Sequence, residues 1–265
     1  YFTIRTRFPQ VRLFKNACKA VMEKPEGEES VSSFQALMVS TASRVGTGNI
    51  VGVSSAICIG GVGSVFWMWV IAIIGSASAL AESTLAQIYK KKGEDGECYG
   101  GPAYYIEAAL HSRGLAIAFC IAMILTYAFG FNMLASYNLQ STFAGMSFYN
   151  AEVTPWIIGG VLALVTGWCL LGGGHRIVKV TSTLVPFMGV VYILVSLLIV
   201  ILNIGQLPAV LAQIFEEAFN FKAIFAGFAG SAMMQGIRRG LYSNEAGIGS
   251  APNAAASAVV SHPVK

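Results

Sequence analysis

Long apolar runs alternate along this chain with short connections rich in glycine, lysine or proline. Residues 65–81 (VFWMWVIAIIGSASALA) and 185–202 (VPFMGVVYILVSLLIVIL) each come close to the roughly 20 consecutive apolar residues of a membrane-spanning helix. The pattern predicts six spans, at 34–60, 64–89, 114–142, 155–171, 181–202 and 221–237. Gly60, Gly61 and Gly63 separate the first from the second. Pro155 opens the fourth at a position where its missing N–H costs nothing, and Gly172 to Gly174 close it. The stretch PAVLAQIFEEAF from Pro208 is too short and too polar to span, and reads as an interfacial helix in a loop.

The first span contains a contradiction. Residues 44–53 read RVGTGNIVGV, placing two glycines, a threonine and an asparagine inside an apolar segment. Glycine costs about 1 kcal/mol in a helix interior, and Thr and Asn are weak helix formers. Freed backbone groups in hydrocarbon cost several kcal/mol each, so unwound chain persists at membrane depth only when buried in protein or lining a cavity. Transporters use such breaks to bind ligands. The N–H groups of a half-helix meet an anionic substrate, and unwound carbonyls coordinate a cation. Gly46, Thr47, Gly48 and Asn49 offer that chemistry. Gly48 and Gly52 also form a GxxxG, which close helix packing alone would explain. GTGNIVG lacks the spacing and the preceding strand of a dinucleotide fingerprint.

Composition narrows the class. Only 11% of the 265 residues are charged and 55% are hydrophobic, against about 25% charged in soluble domains. Of the 17 Lys and Arg, all but Arg44 and Lys222 fall on one side of the predicted spans. That asymmetry predicts a cytoplasmic N-terminus and a cytoplasmic KKKGEDGE loop. The five cysteines form no CxxC and the three histidines are scattered, so neither a disulfide framework nor a metal centre is expected. The chain begins Tyr1-Phe2-Thr3 without an initiator methionine or a leader, and is expected to be an internal piece of a longer protein.

Three further features bear on chemistry. AGFAGSAMMQG (226–236) puts glycines and a serine into the sixth span, and Gly227 to Ser231 are expected to form a second break, with Phe228 as a pocket wall. A glycine-rich packing face is the alternative. Glu82 and Arg44 are the charges inside the spans, either functional or paired with each other. SNEAGIGSAP (243–252) follows the sixth span, where Ser243 to Glu245 could cap a helix or close an inner gate.

Three stretches together carry a family resemblance: VGTGNIVGVSSAICIGGVGSVFWMWVIAIIGSASALAESTLAQIY, DGECYGGPAYYIEAAL and RRGLYSNEAGIGSAP. In that order, over nearly the whole chain, they resemble the sodium:alanine symporters, also described as alanine or glycine:cation symporters. The VGxGN element, Val45 to Asn49, is shared with the neurotransmitter:sodium symporters. The sequence departs from the family at Gly61-Val62-Gly63, where a proline is common at the middle position, and at Ser76-Ala77-Ser78.

The resemblance implies an all-α membrane protein with a leucine-transporter-like fold of inverted repeats, here truncated to about six helices with the first and sixth broken. The implied divisions are a basic interfacial segment (1–33), a first five-helix repeat (34–202), a loop with an interfacial helix (203–220) and the start of a second repeat (221–265). The implied function is sodium-coupled import of alanine or glycine across the plasma membrane, with no enzymatic activity, cofactor or nucleic-acid partner. Another substrate, or protons as coupling ion, is the alternative within the same fold. The expected substrate site is Gly46, Thr47, Gly48, Phe228, Gly230 and Ser231. Sodium is expected at Asn49 and, from the shared VGxGN frame, at the carbonyls of Ala42 and Val45.

Overall fold

A computed structural model describes residues 1–22, 32–94, 98–220, 231–260 and 262–264. Three short helices open the chain, α1 (Phe2–Arg5), α2 (Pro9–Arg12) and α3 (Phe14–Met22). The first expected span is two helices, α4 (Ser33–Arg44) and α5 (Val51–Gly60). Ser32 and Gln35 cap α4 reciprocally, each side chain engaging the other's backbone N–H. At 1.5 Å per residue the halves are about 18 and 15 Å long, together matching a bilayer core of about 30 Å.

The second span is one unbroken helix, α6 (Ser64–Ile88). It ends at a two-residue antiparallel hairpin, β1 (Lys91–Lys92) with β2 (Cys98–Tyr99), a small exception to the all-helical expectation. Helix α7 (Pro102–Leu110) follows as the expected interfacial helix. The third span is a rod of α8 (Arg113–Ile124), a π-helical stretch (Leu125–Phe131) and α9 (Asn132–Ser141). The fourth is α10 (Thr154–Leu171). These boundaries fall within one residue of those expected.

The fifth span, α11 (Gly173–Leu202), begins eight residues before its expected start at 181. The glycines do not form a loop: the chain reverses at Gly172 and Gly173, the latter at φ 69°, and Gly174 is already helical. Arg176 closes the junction by donating from Nη1 to the Trp168 carbonyl (2.8 Å), its guanidinium 4.9 Å from the Trp168 ring centre. Among the described residues, four helices are long and apolar enough to cross a membrane: α6, the 113–141 rod, α10 and α11. The chain is thus an all-α, multi-pass membrane protein.

Helix α12 (Leu207–Ala218) is the expected amphipathic helix after the fifth span. It is pinned to the start of α6. Glu217 accepts from the Gly63 N–H (3.2 Å) and from Gln213 Nε2 (2.9 Å), and Trp67 Nε1 donates to the Ala218 carbonyl (3.0 Å). Phe66 packs against Phe215 and Phe219.

The sixth span requires correction. Residues 221–230 lie outside the described residues, but helix α13 (Ala232–Asn244) runs past the expected end at 237. The chain then leaves helical geometry over 245–249 and resumes as α14 (Ser250–Ser257). Arg238 and Arg239, which read as a membrane–water boundary, therefore sit inside α13. The stem of Arg239 lies over Gly52 of α5. Helix α13 packs on α5 and α6, and α14 on α4 and α6. The first half of the later broken helix thus lies beside the second half of the earlier one. The two run antiparallel with their breaks facing.

Close approach of α13 to α6 depends on Gly236 and Gly240. A Cβ at Gly236 would collide with the Ser64 backbone and Trp67 Cβ, and one at Gly240 would sit 3.1 Å from Ile71 Cβ.

The Glu217 contacts carry a pH dependence. Donation from Gln213, then from the Gly63 and Val62 backbone, holds its carboxyl below the ordinary value of 4.5. A lowered folded-state value stabilises above the unfolded value and is lost as pH falls through the folded one. Glu217→Gln should therefore unfold at a lower temperature than the parent near pH 6, with the difference shrinking as pH falls below the ordinary value of 4.5. Thermal unfolding in detergent at the two pH values is the measurement. A difference that persists undiminished in acid would exclude the charged contact.

Candidate functional site

Between Val45 and Ile50 the helical ladder of the first span is interrupted. The Val45 N–H closes α4 on the Thr41 carbonyl (2.8 Å), and the Asn49 N–H makes a single 3₁₀ turn to the Gly46 carbonyl (3.1 Å). Helix α5 starts at Ile50 with no side-chain cap, so the break lies against a half-helix N-terminus with its positive dipole end.

Asn49 ties this break together and joins it to the other. Its Nδ2 donates to the Arg44 carbonyl at the end of α4 (3.1 Å), which turns Oδ1 toward α13, where it accepts from the Ser243 hydroxyl. Gly48 lies flat against Tyr242: a Cβ there would be 2.6 Å from the ring. A side chain at this position would have to displace the Tyr242 ring.

A cavity of about 260 Å³ lies at this junction. The first break contributes Ala42, Ser43, Arg44, Gly46, Gly48 and Asn49, and the later broken helix contributes Tyr242, Ser243 and Glu245. The third span supplies Tyr127, Phe131, Asn132, Leu134 and Ala135. The volume is below the roughly 300–1,000 Å³ typical of drug-sized ligands, and suits a molecule of a few heavy atoms.

Its aromatic wall is a continuous stack. Tyr127 and Phe131 lie 4.9 Å apart, and Phe131 stacks on Tyr242 at 5.7 Å. Both third-span rings come from the π-helical stretch, a distortion frequent at functional sites. Glu245 anchors the base. It is 4% exposed, sits at φ 52°, and its Oε2 accepts from Tyr127 OH (3.1 Å) and Ser250 Oγ (2.8 Å). Those two bonds hold a non-glycine residue in left-handed geometry, which alone costs on the order of 1–3 kcal/mol.

Of the expected site residues, Ala42, Gly46, Gly48 and Asn49 are brought together, with Thr47 between the two glycines. The Val45 side chain is exposed and does not line the cavity. Phe228 and Gly230 lie outside the described residues. Ser231 caps α13, its Oγ accepting from the Met234 N–H (3.3 Å), at the far end of that helix from Tyr242 and Ser243. Among the described residues the interruption that faces the first break is 245–249; of the expected break at Gly227 to Ser231, Ser231 alone lies among them. No salt bridge joins Arg44 to Glu82 among the described residues: Arg44 Nε and Glu82 Oε2 are both buried without a hydrogen-bond partner. Tyr127, Phe131 and Tyr242 went unread. Their signal in the sequence is the run SNEAGIG, as polar and glycine-rich as VGTGN, immediately after Tyr242.

Two facing helix breaks thus line a small cavity in a multi-pass membrane chain. The chain belongs to the sodium:alanine symporter family, whose family model matches residues 1–265. This is a family of transporters, not of enzymes. The chain is 47% identical to the amino-acid carrier protein AlsT of Bacillus subtilis, over 100% of this chain and 56% of that protein. It is 47% identical to the "Probable sodium/glutamine symporter GlnT" of the same organism, over 100% and 55%. It is 42% identical to the sodium/alanine symporter AgcS of Methanococcus maripaludis, over 99% and 59%. The chain spans about half the length of the curated relatives it matches.

The Tyr127–Glu245 bond yields a direct test. Tyr127→Phe should cost about 1.5–3 kcal/mol, as expected for a hydrogen bond to a charged group. In a double-mutant cycle with Glu245→Gln, read by denaturation in detergent, the two losses should fail to add by more than about 0.5 kcal/mol. Strict additivity would show that the hydroxyl does not serve the carboxylate.

Proposed function

We propose that the protein is part of a sodium-coupled symporter that imports a small neutral amino acid, alanine or glycine, across the cell (inner) membrane. The observation that carries this reading is the Asn49 bridge between two facing breaks. It gathers backbone N–H groups, an amide oxygen and a hydroxyl around a cavity too small for a large side chain. The substrate carboxylate meets the backbone N–H groups at Thr47 and Gly48, beside the positive end of α5. Sodium takes Asn49 Oδ1 together with the carbonyls of Ala42 and Val45. Membership of the family and the names of its relatives support the choice of sodium and amino acid.

The antiparallel pairing of α4–α5 with α13–α14 supports the leucine-transporter-like fold of inverted repeats, with residues 34–202 as the first repeat and α13 opening the second. Residues 1–33 are then a cytoplasmic interfacial segment and 203–220 an extracellular loop. A second reading, glutamine as substrate, is favoured by the 47% identity to the relative named for that amino acid.

In the full-length protein, uptake of labelled alanine should rise with an inward sodium gradient and be competed by glycine but not by leucine. Competition by glutamine at least as strong as by glycine would favour the second reading, and uptake indifferent to sodium would refute both. Asn49→Ala removes one oxygen from a cation, a contact of about 1.5–3 kcal/mol, so half-maximal uptake should need roughly 10- to 100-fold more sodium. An unchanged sodium requirement in a well-expressed variant would remove Asn49 from the ion site.

The orientation is tested separately. Cysteines placed at Glu152 and Glu216 should react with an impermeant thiol reagent added outside intact cells, while one at Lys91 should not. Reaction at Lys91 would invert the topology.

A further inference from the structure

Helix α6 packs on both α13 and α14 and so passes the later break without interruption, and Glu82 is the acid it carries. Two groups of opposite origin converge on that carboxylate. From one side, Gly247 of the later break lies against it, a Cβ there falling 3.6 Å from Glu82 Oε1, while Glu82 Oε2 is buried without a hydrogen-bond partner. From the other, the Arg44 guanidinium at the end of α4 acts on it by charge, without the direct contact of a salt bridge among the described residues.

The loop is shaped for this. Gly247 and Gly249 take φ 93° and 91°, geometry that other residues rarely adopt. Backbone that alternates in this way turns its N–H groups into a concavity suited to an anion. At Gly249 space agrees with conformation, since a Cβ would come within 2.7 Å of Pro102 and 2.8 Å of Phe119. Helix α14, which begins immediately afterwards, has no side-chain cap of its own. N–H groups at this depth need an acceptor, because water and lipid do not supply one. The acceptor lying against this loop is Glu82.

We propose that Glu82 is a positioning residue. From a rigid helix its carboxylate receives the N–H groups of the later break while drawing the Arg44 end of the earlier one by charge, and so sets the spacing across which Asn49 meets Ser243. The intramembrane acid is then neither a member of the cavity wall nor half of an ion pair. It is a strut between two pieces of unwound chain. The inference rests on the proposed site for its consequence in transport, but its structural core stands without any substrate.

The test compares two replacements of similar volume in the full-length protein in lipid nanodiscs. Glu82→Gln keeps an acceptor oxygen for the glycines, and Glu82→Met keeps none. With no substrate present, amide hydrogen exchange across residues 245–252 should quicken about tenfold or more in Glu82→Met and stay within about threefold of the parent in Glu82→Gln. Half-saturating alanine should follow the same order, with the maximal rate changed less than the half-saturation. Exchange that is unaltered in Glu82→Met, or altered equally in both variants, overturns the proposal. Should Glu82→Met fail to insert, Glu82→Ser, too short to reach the glycines, takes its place with the same expected result. Because exchange is read without substrate, its failure is distinct from failure of the sodium–alanine reading, which unmodified protein reports by uptake.

Discussion

Backbone polar groups cannot be left bare in hydrocarbon, and almost everything distinctive in this structure follows from that constraint. A helix satisfies it automatically and a break does not. At the first break Asn49 takes up the Arg44 carbonyl, and side chains then link the two interruptions to each other and to the third span: Ser243 on Asn49, and Tyr127 and Ser250 on Glu245. The breaks face each other because each supplies partners the other lacks. The cavity is what remains where the two unwound stretches meet, and its polar lining is a consequence of their unwinding.

Much of this was legible in the sequence, for a physical reason. A membrane span is a long apolar run with hard ends, so α6, the 113–141 rod and α10 fall where hydropathy puts them. The first break was legible because VGTGN has no other reason to lie inside such a run. The later break was not, because two signals competed. Arg238-Arg239 imitates a membrane boundary, and GFAGS, upstream of it, is richer in glycine than SNEAG. Helix α13 carries both arginines through, with the Arg239 stem laid on Gly52. Among the described residues of this stretch the chain leaves helical geometry after Asn244, where Glu245 takes left-handed geometry and two glycines with positive φ follow.

The candidate site was legible only on its first-span side, for a related reason. Gly46, Gly48 and Asn49 announce themselves by being poor helix formers. Tyr127, Phe131 and Tyr242 do not, since an aromatic residue in a membrane span is ordinary. What selects them is the π-helical stretch and the approach of Tyr242 to Gly48, and both are tertiary facts. Ser231 caps α13, a common use of a serine before a helix.

The helices also differ in what they contribute. Among the described residues, α10 and α11 have none that is buried, although α11 packs along α4. Helix α6 has the opposite character. Its start is fastened to α12 through Gly63 and Trp67, and its middle lies against Gly236 and Gly240 of α13. Its later turns carry Glu82 to the loop between α13 and α14. A broken helix cannot transmit position along its own axis, because the bonds that would do so are missing at the break. An unbroken neighbour fastened to both halves can. The register between α13 and α14, and through Asn49 and Ser243 the register between the two breaks, is therefore set by α6 more than by the chain that links them.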